Sequence, residues 1–224
     1  MTTEPRQRRG VWIAVGCISA VAVLAAVAVV VAPLLVRGES PASSGPTAGE
    51  SSVPATTTAS SVAGCQAGRD VTNASVLEAQ RVAELSDAGA AAFAADLFRW
   101  LGTDPTADQA DELATTVASI LAPDADPQLK KTLEAAVEQA REGASADDWH
   151  VSTEDAHFYI EASTGVATVV SVSATRVFDD GTTQSGAQTF TLVQGAPGWQ
   201  LQRMVPTRDA SDLRLLGQRY EGGC

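Results

Sequence analysis

Hydrophobic and polar positions follow three different patterns along the 224-residue chain. Residues 11–36 are apolar without a single charge, and residues 38–64 contain almost no large apolar side chain. From about residue 66 the apolar positions become periodic, first at 3.6 residues and then, after Gly143, at 2 residues. The chain therefore predicts an apolar segment, a linker and a folded region in which helices precede strands.

Three amphipathic helices are predicted in the first part of the folded region. The first begins at a capping-box pattern, Ser75-x-x-Glu78, and ends at Gly102. The other two begin at Asp104 and Asp126, each followed by proline at the first helical position. The apolar stripes of the three helices are Leu85, Gly89, Phe93, Leu97, Trp100 and Leu101; then Leu113, Val117, Ile120 and Leu121; then Leu129, Leu133, Val137 and Ala140.

Strict alternation after Gly143 indicates β-strands with one buried face. Residues 165–178 form the clearest strand, and Asp179–Gly181 and Gly195–Gly198 mark turns. The predicted inward residues are Val166, Val170, Val172, Ala174, Phe178, Phe158, Ile160, Phe190, Leu192, Trp199 and Leu201, with Val205 as a further candidate, while Ser171, Ser173 and Thr175 point the other way. Leu213, Leu216 and Tyr220 share helical spacing and predict a short closing helix. The predicted class is α+β, with N-terminal helices packed on a curved antiparallel sheet.

The apolar segment at residues 11–36 is long enough to cross a membrane. As a helix it would span roughly 39 Å, more than the ~30 Å hydrocarbon core requires. The alternative is a cleaved signal peptide, but its apolar region is shorter and a small-residue cleavage site follows it. Arg6, Arg8 and Arg9 precede the segment, so the positive-inside rule places the N-terminus in the cytoplasm and the C-terminal domain outside.

These patterns divide the chain into four parts. The linker is rich in Ser, Thr, Pro, Ala and Gly, and such a composition cannot bury enough surface to order itself. The predicted parts are a cytoplasmic tail (1–10), a transmembrane helix that acts as a signal anchor (11–36), a disordered linker (37–64) and an extracytoplasmic α+β domain (65–224).

The charge distribution bears on the partners. The formal net charge is −12, and the residues after Arg37 hold 11 basic against 26 acidic side chains. Such an acidic body repels phosphate backbones, so direct binding of nucleic acid is not expected. The abundance of Ala and Val, with two Lys and one Asn, suggests a high-GC genome of the actinobacterial kind.

The stretch SVAGC at residues 61–65 leaves three interpretations of Cys65: a lipid-modified cysteine, half of a disulfide, or a chance match to a lipobox. A lipobox functions directly after the apolar region, and here a long linker separates the two. Cys17 lies inside the predicted membrane helix. Cys65 and Cys224 remain, both in an oxidising compartment at the two ends of one domain, and a disulfide between them is therefore predicted.

The search for catalytic chemistry is mostly negative. No nucleophile elbow, zinc-protease, phosphate-loop or dinucleotide-binding motif is present. His150 and His157 have acidic neighbours, but their spacing fits no standard zinc site. His157, Tyr159 and Glu161 share one strand face, which the apolar residues between them place away from the core. Arg176 lies on the apolar face of its strand, as a rim residue or as an anion or partner contact. No catalytic residue, metal ligand or cofactor is predicted.

The predicted domain resembles the cone-shaped nuclear transport factor two superfamily. In both, helices are followed by an antiparallel sheet, which here ends in QTFTLVQGAPGWQLQRMVP. The resemblance covers residues 75–206. Together with the anchor and linker, it is similar to membrane-anchored scaffold proteins of actinobacterial conjugation or type IV secretion-like systems, and to Mce-associated membrane proteins. It implies a non-enzymatic scaffold or adaptor with envelope protein partners and possible self-association. The alternative is an extracytoplasmic domain that binds a small apolar ligand in the mouth of the cone.

Overall fold

The computed structural model of the protein describes residues 61–103, 106, 109–143 and 149–224, and they form an α+β fold. In chain order the elements are α1 Asn73–Val82, α2 Asp87–Leu101, α3 Ala110–Ile120, α4 Pro127–Arg141, β1 Trp149–Ser152, β2 His157–Ser163, β3 Ala167–Phe178, β4 Thr183–Gln194, β5 Trp199–Val205, α5 Ala210–Leu216 and β6 Gln218–Arg219. The predicted membrane segment, residues 11–36, lies outside these ranges. Within them, no helix is long and apolar enough to cross a bilayer.

A single antiparallel sheet has the strand order β5-β4-β3-β2-β6. β2 pairs with residues 168–172 of β3 and β1 with residues 175–178, so the two short strands together form one neighbour of β3. At the other edge, the backbone of Leu201 and Gln202 in β5 accepts hydrogen bonds from Ala122 and Asp126. The chain between α3 and α4 thereby covers the open edge of β5, a common way to prevent edge-to-edge association.

The core lies between α2 and the sheet face that carries Val170 and Phe190, here called the inner face. The Phe98 ring meets the Phe190 ring edge-on at 5.8 Å between centroids. Predicted core residues that are buried are Phe93, Leu97, Trp100, Leu113, Val117, Ile120, Leu129, Leu133, Val137, Ala140, Phe158, Val170, Val172, Ala174, Phe190, Leu192, Trp199 and Leu201. The periodicities therefore assigned most of the core to the correct faces.

The predicted first helix is wrong in its boundaries, because the chain forms two helices, α1 and α2, in its place. The capping box at the start of α1 joins Thr72 and Ser75, three residues before the predicted box. Ser86 then caps α2 by accepting a hydrogen bond from the Gly89 N–H at 3.2 Å. The break leaves Leu85 57% exposed, although it was expected in the apolar stripe. The predicted second start at residues 104–105 lies outside the described residues.

The opposite face of the sheet, here called the outer face, is partly covered by α5. Ser171 and Ser173 point to this side, as the alternation predicted. Both are nevertheless buried, because α5 packs against β3 there. Leu213 is the buried residue of α5. One expectation fails here: Val166, predicted to face inward, precedes β3 and is 65% exposed. Leu216, the last residue of α5, is 57% exposed. Both lie where the chain turns away from the sheet. Tyr220 is buried but lies beyond α5, and Val205, the last residue of β5, is 37% exposed.

Candidate functional site

The first and last described segments of the chain meet in a small assembly, the terminal junction, formed by residues 62–68, 153 and 220–224. Cys65 and Cys224, the predicted pair, form a disulfide with Cα atoms 5.7 Å apart and a separation of 159 positions in sequence. Val62 is buried and its carbonyl accepts a hydrogen bond from the Glu221 N–H. The fold therefore includes residues on the linker side of Cys65.

Thr153 holds both chain ends from the gap between β1 and β2. Its hydroxyl donates to the Gly64 carbonyl at 2.7 Å, and its N–H donates to the Cys224 carbonyl at 2.5 Å. Gly223 passes so close that a Cβ on it would lie 2.0 Å from the Thr153 carbonyl oxygen. The Thr153 side chain is fully buried. The buried threonine therefore fastens both segments of the terminal junction to the gap between the two strands.

Asp96 and Arg99 of α2 lie under the terminal junction, and both are buried. Arg99 donates to the Gly68 carbonyl at 2.8 Å and to the Arg69 carbonyl at 2.5 Å, and its Nη1 is 3.6 Å from Asp96 Oδ1. Burial raises the pKa of Asp96 to about 6; the backbone N–H groups of Ala67 and Gln66 and the charge of Arg99 act in the opposite direction. Neither oxygen of this carboxylate has a well-formed hydrogen bond with a described residue.

Sequence reasoning did not single out the Asp96–Arg99 pair. The signal was present in AAAFAADLFRWL, where an acid and a base three residues apart interrupt an apolar run. Such charges in a buried stripe are rarely left unpaired. Their position fits a role in holding the loop that contains Cys65.

A polar network on the outer face contains two of the three residues considered for acid–base chemistry. The Glu161 carboxylate accepts hydrogen bonds from two nitrogens of Arg208, Nε at 2.5 Å and Nη2 at 2.8 Å. It also accepts one from the Ser171 hydroxyl at 2.7 Å. The Arg208 guanidinium also lies 4.6 Å from the centre of the Tyr159 ring. Ser171 bonds further to Thr189 at 2.7 Å, and Thr189 bonds to Thr207.

This network has the chemistry of a structural ion pair. The Arg208 hydrogen bonds hold the pKa of Glu161 below its usual range, and Ser171 adds to the effect. A carboxylate stabilised in its charged form is a weak base, whereas catalysis at neutral pH needs a raised pKa. Ser171 itself is fully buried, so a substrate could not reach its hydroxyl. The described contacts of His157 are with Asp155 and Ser173, not with Tyr159 or Glu161.

The two histidines lie on different strands. His150 is opposite Val177 of β3, and His157 is opposite Arg219 of β6. Among the described residues, no three His, Cys, Asp or Glu side chains come together in a group that could hold a metal ion.

Arg176 lies at the end of the inner face that the helices leave partly open. Its guanidinium stacks 4.0 Å from the centre of the Trp149 ring. A Cβ added at Gly186, next to Ala174 in the sheet, would meet nothing within 4 Å. A cation stacked on an aromatic ring therefore lies beside open space at this end of the inner face.

A shallow groove of about 520 Å³ lies between α3 and α4, beside β5. Its walls include Ala114, Ala118, Leu121, Val137 and Glu134. The short side chains of α3 leave space in the groove, and the α4 side carries two acidic and two basic residues, Glu134, Glu138, Lys130 and Arg141. Periodicity did not reveal this groove, because alanine fits both a core stripe and a surface.

Two leucines of α5, Leu215 and Leu216, are 83% and 57% exposed. α5 packs on the outer face through Leu213, so its other side turns these leucines outward. Arg214 next to them donates to the Ser185 hydroxyl at 3.2 Å, and no carboxylate among the described residues lies within 4 Å of it. This surface, Arg214–Leu216, is called the α5 knob below.

Comparison with known proteins gave no similarity to extend this description: no family model, no curated protein and no solved structure matches the chain.

Proposed function

We propose that the protein is a non-enzymatic, single-pass membrane-anchored scaffold or adaptor of a cell-envelope assembly. In this proposal residues 11–36 anchor the chain in the plasma membrane, with the N-terminus in the cytoplasm, and the α+β domain acts outside. The uninterrupted apolar segment and the basic flank before it support this topology.

The observation that carries the proposal is the Cys65–Cys224 disulfide. Disulfides persist in extracytoplasmic compartments and are rare where thiols are kept reduced. The bond lies at the point where the linker enters the domain, and it joins that point to the last residue. The domain is thus closed at its tethered end, which suits a folded unit displayed at a distance from a membrane.

The described polar groups favour a binding role over a catalytic one. Glu161 and Arg208 on the outer face form an ion pair, and Asp96 and Arg99 are enclosed beneath the terminal junction. Among the described residues, the surfaces with apolar character include the α3–α4 groove and the α5 knob. Surfaces of this kind serve protein contacts more readily than chemistry.

Among envelope assemblies, a conjugative or type IV secretion-like machine is the first choice and Mce-associated transport the second. The order of anchor, linker, helices and antiparallel sheet supports both assemblies. The resemblance to the nuclear transport factor two superfamily remains part of the proposal.

A small-ligand-binding domain is the alternative function, supported by the Trp149–Arg176 stack beside open space. A stacked arginine favours an anionic or aromatic molecule over a purely apolar one. A thermal-shift screen separates the two functions, since a specific ligand raises the unfolding temperature. An Arg176→Ala variant should lose that shift if the stack is the site.

Crosslinking and affinity purification from native membranes test the scaffold proposal. The full chain should recover a reproducible set of envelope proteins. The matched control keeps residues 1–60 and replaces the domain with an unrelated secreted domain, and it should lose that set. Recovery of the full chain alone, or an identical set with the control, would count against the proposal.

A further inference from the structure

We propose that Arg99 makes Cys65 the thiolate-bearing cysteine of the terminal junction, so that thiol–disulfide exchange with an outside dithiol or disulfide takes place at the Cys224 sulfur. This chemistry governs how the Cys65–Cys224 bond closes and opens, and it is independent of the scaffold function. Its basis is the contact of Arg99 Nη1 with Cys65 Sγ, at 3.7 Å. A guanidinium at this distance interacts weakly with a neutral sulfur and much more strongly with the negative thiolate that replaces it.

The rest of the junction holds Arg99 in this position. Its side chain is 4% exposed, and its two terminal nitrogens donate to the Gly68 and Arg69 carbonyls. These bonds fix the guanidinium beneath the loop that begins at Cys65. The Nε of Arg99 has no hydrogen-bond partner among the described residues. The buried cation is therefore incompletely satisfied, and a thiolate at Cys65 would supply a negative partner.

Other ionisable groups act on this arginine as well. Asp96 Oδ1 is 3.6 Å from Arg99 Nη1, and the charge of Asp70 also acts on Arg99. Both carboxylates oppose the effect of Arg99 on Cys65, because they offset its positive charge. Tyr220 remains neutral, since burial raises its pKa well above the ordinary value. With a pKa of about 6, Asp96 changes charge near neutral pH. The thiolate of Cys65 therefore gains most from Arg99 when Asp96 is protonated or replaced.

The two sulfurs of the bond have different surroundings. Cys65 Sγ lies on the side of the buried arginine, whereas Cys224 Sγ is 3.4 Å from the carbonyl oxygen of Gly68, an exposed residue of the loop. The chain beside Cys224 is open, since a Cβ added at Gly222 would meet nothing within 4 Å. An incoming thiolate therefore reaches the Cys224 sulfur more readily, and the Cys65 sulfur leaves as the anion that Arg99 stabilises. A better stabilised leaving thiolate speeds this step.

Closure of the bond follows the same route in reverse. The Cys224 thiolate attacks the disulfide of an oxidised dithiol donor and forms a mixed disulfide, while one donor sulfur leaves as a thiolate. The Cys65 thiolate then attacks the Cys224 sulfur, and the second donor sulfur leaves. The protein dithiol has lost two electrons and two protons, and the donor disulfide has been reduced to a dithiol.

Mapping the first mixed disulfide tests the site of exchange in the natural full chain. The oxidised protein is exposed briefly to 2-mercaptoethanol, an uncharged thiol, then quenched and alkylated at acidic pH. We expect mass spectrometry of the digest to find the reagent on Cys224 and the alkyl group on Cys65, with this isomer about tenfold or more above the other. Equal amounts of the two isomers, or the reagent mainly on Cys65, would overturn the assignment of the sulfurs.

Thiol titration tests the role of Arg99. In full chains that carry Cys17→Ser, Cys224→Ser leaves the Cys65 thiol alone, and Cys65→Ser leaves the Cys224 thiol as the matched control. The rate of alkylation by iodoacetamide, followed against pH, gives the titration midpoint of each thiol. We expect the midpoint of Cys65 at least about one pH unit below that of Cys224, which should lie near the ordinary value of about 8.5. Equal midpoints would overturn the role of Arg99.

Substitutions at Arg99 and Asp96 separate charge from structure. In the Cys224→Ser chain, Arg99→Lys keeps the positive charge and should preserve a low midpoint for Cys65, whereas Arg99→Gln should raise it toward the control value. Asp96→Asn removes an opposing negative charge and should lower the midpoint further. An arginine that only holds the loop through the carbonyls would give equal midpoints for the lysine and glutamine variants, and that result would contradict the proposal.

The disulfide-bonded chain provides a second measurement if the Cys224→Ser chain does not fold. There Arg99→Gln should slow the formation of the mixed disulfide with 2-mercaptoethanol about threefold, because the leaving thiolate loses its partner. Arg99→Lys should react at nearly the natural rate. A purely structural role predicts the opposite sign, since a loosened junction exposes the bond and speeds its opening. A faster reaction of Arg99→Gln would therefore overturn the proposal.

Discussion

Asp96 is a carboxylate at a fully buried position, and its titration should be visible in the stability of the domain. Its pKa in the folded state, about 6, exceeds the ordinary value of 3.8. Between these values the native state holds a proton that the unfolded state releases, so this group lowers the free energy of unfolding as the pH rises. Above pH 6 this titration has lowered the free energy of unfolding by nearly its full amount, at most about 3 kcal/mol relative to low pH.

We expect Asp96→Asn to remove this slope. The variant loses the partner of Arg99, so its absolute stability is uninformative. The informative quantity is the change in unfolding free energy between pH 4.5 and pH 7.5, measured by urea titration with tryptophan fluorescence. That change should be more favourable in the variant than in the natural chain. Glu161, whose pKa is lowered by Arg208, contributes in the opposite direction in both proteins and cancels in the comparison. Equal slopes would contradict the assignment.

At the scale of elements, the turn between α1 and α2 depends on a close backbone approach at Gly89. A Cβ added there would lie 2.0 Å from the Glu84 carbonyl oxygen and 2.7 Å from its nitrogen. Alanine is favoured over glycine in helices by about 1 kcal/mol, but here the clash is with main chain, which cannot move aside easily.

Gly89→Ala should therefore destabilise the domain by about 1–3 kcal/mol, the usual range for overpacking, despite its better helix propensity. Gly186→Ala is the control, because nothing lies within 4 Å of its added Cβ. Chemical denaturation of both variants provides the measurement. A Gly89→Ala variant as stable as the natural chain would mean that α1 and α2 can separate at this turn.

The same turn shows what periodicity can and cannot predict. Phe93, Leu97 and Trp100 were assigned to the core because a 3.6-residue stripe is a property of local sequence alone. The break before α2 was missed because Ser75 and Glu78 match the capping consensus, whereas Ser86 becomes a cap only once the chain turns there. The alternation in β3 gave the correct faces, but no strand pattern reveals that a distant helix, α5, buries the outer serines.

At the scale of the whole molecule, the disulfide encloses every described helix and strand in one loop. The chain-entropy relation assigns about 5 kcal/mol of stability to a loop of this length. Reduction, or Cys65→Ser with Cys224→Ser, should therefore lower the free energy of unfolding by up to that amount. Cys17→Ser should leave it unchanged. The measurement is urea unfolding with and without a reductant, and free thiols at positions 65 and 224 in the native oxidised protein would contradict the bond.

The pairing of these cysteines was accessible from sequence because compartment and cysteine count leave few choices. The α5 knob and the α3–α4 groove were not accessible from sequence, because the exposure of Leu215 and Ala118 depends on which elements pack around them. The spacing of Leu213 and Leu216 predicted the short helix, but it did not show that Leu213 is buried while Leu216, at the end of α5, is 57% exposed.

The terminal junction also determines how the domain responds to mechanical load. Tension that arrives from the residue-61 side reaches Cys65 and passes at once through a covalent bond to Cys224, as well as through the hydrogen bonds of Val62 and Gly64 with Glu221. The segments around Cys65 and Cys224 therefore share the load, and neither can be peeled from the fold before the other. A domain built in this way can be pulled from the residue-61 side without unravelling past Cys65.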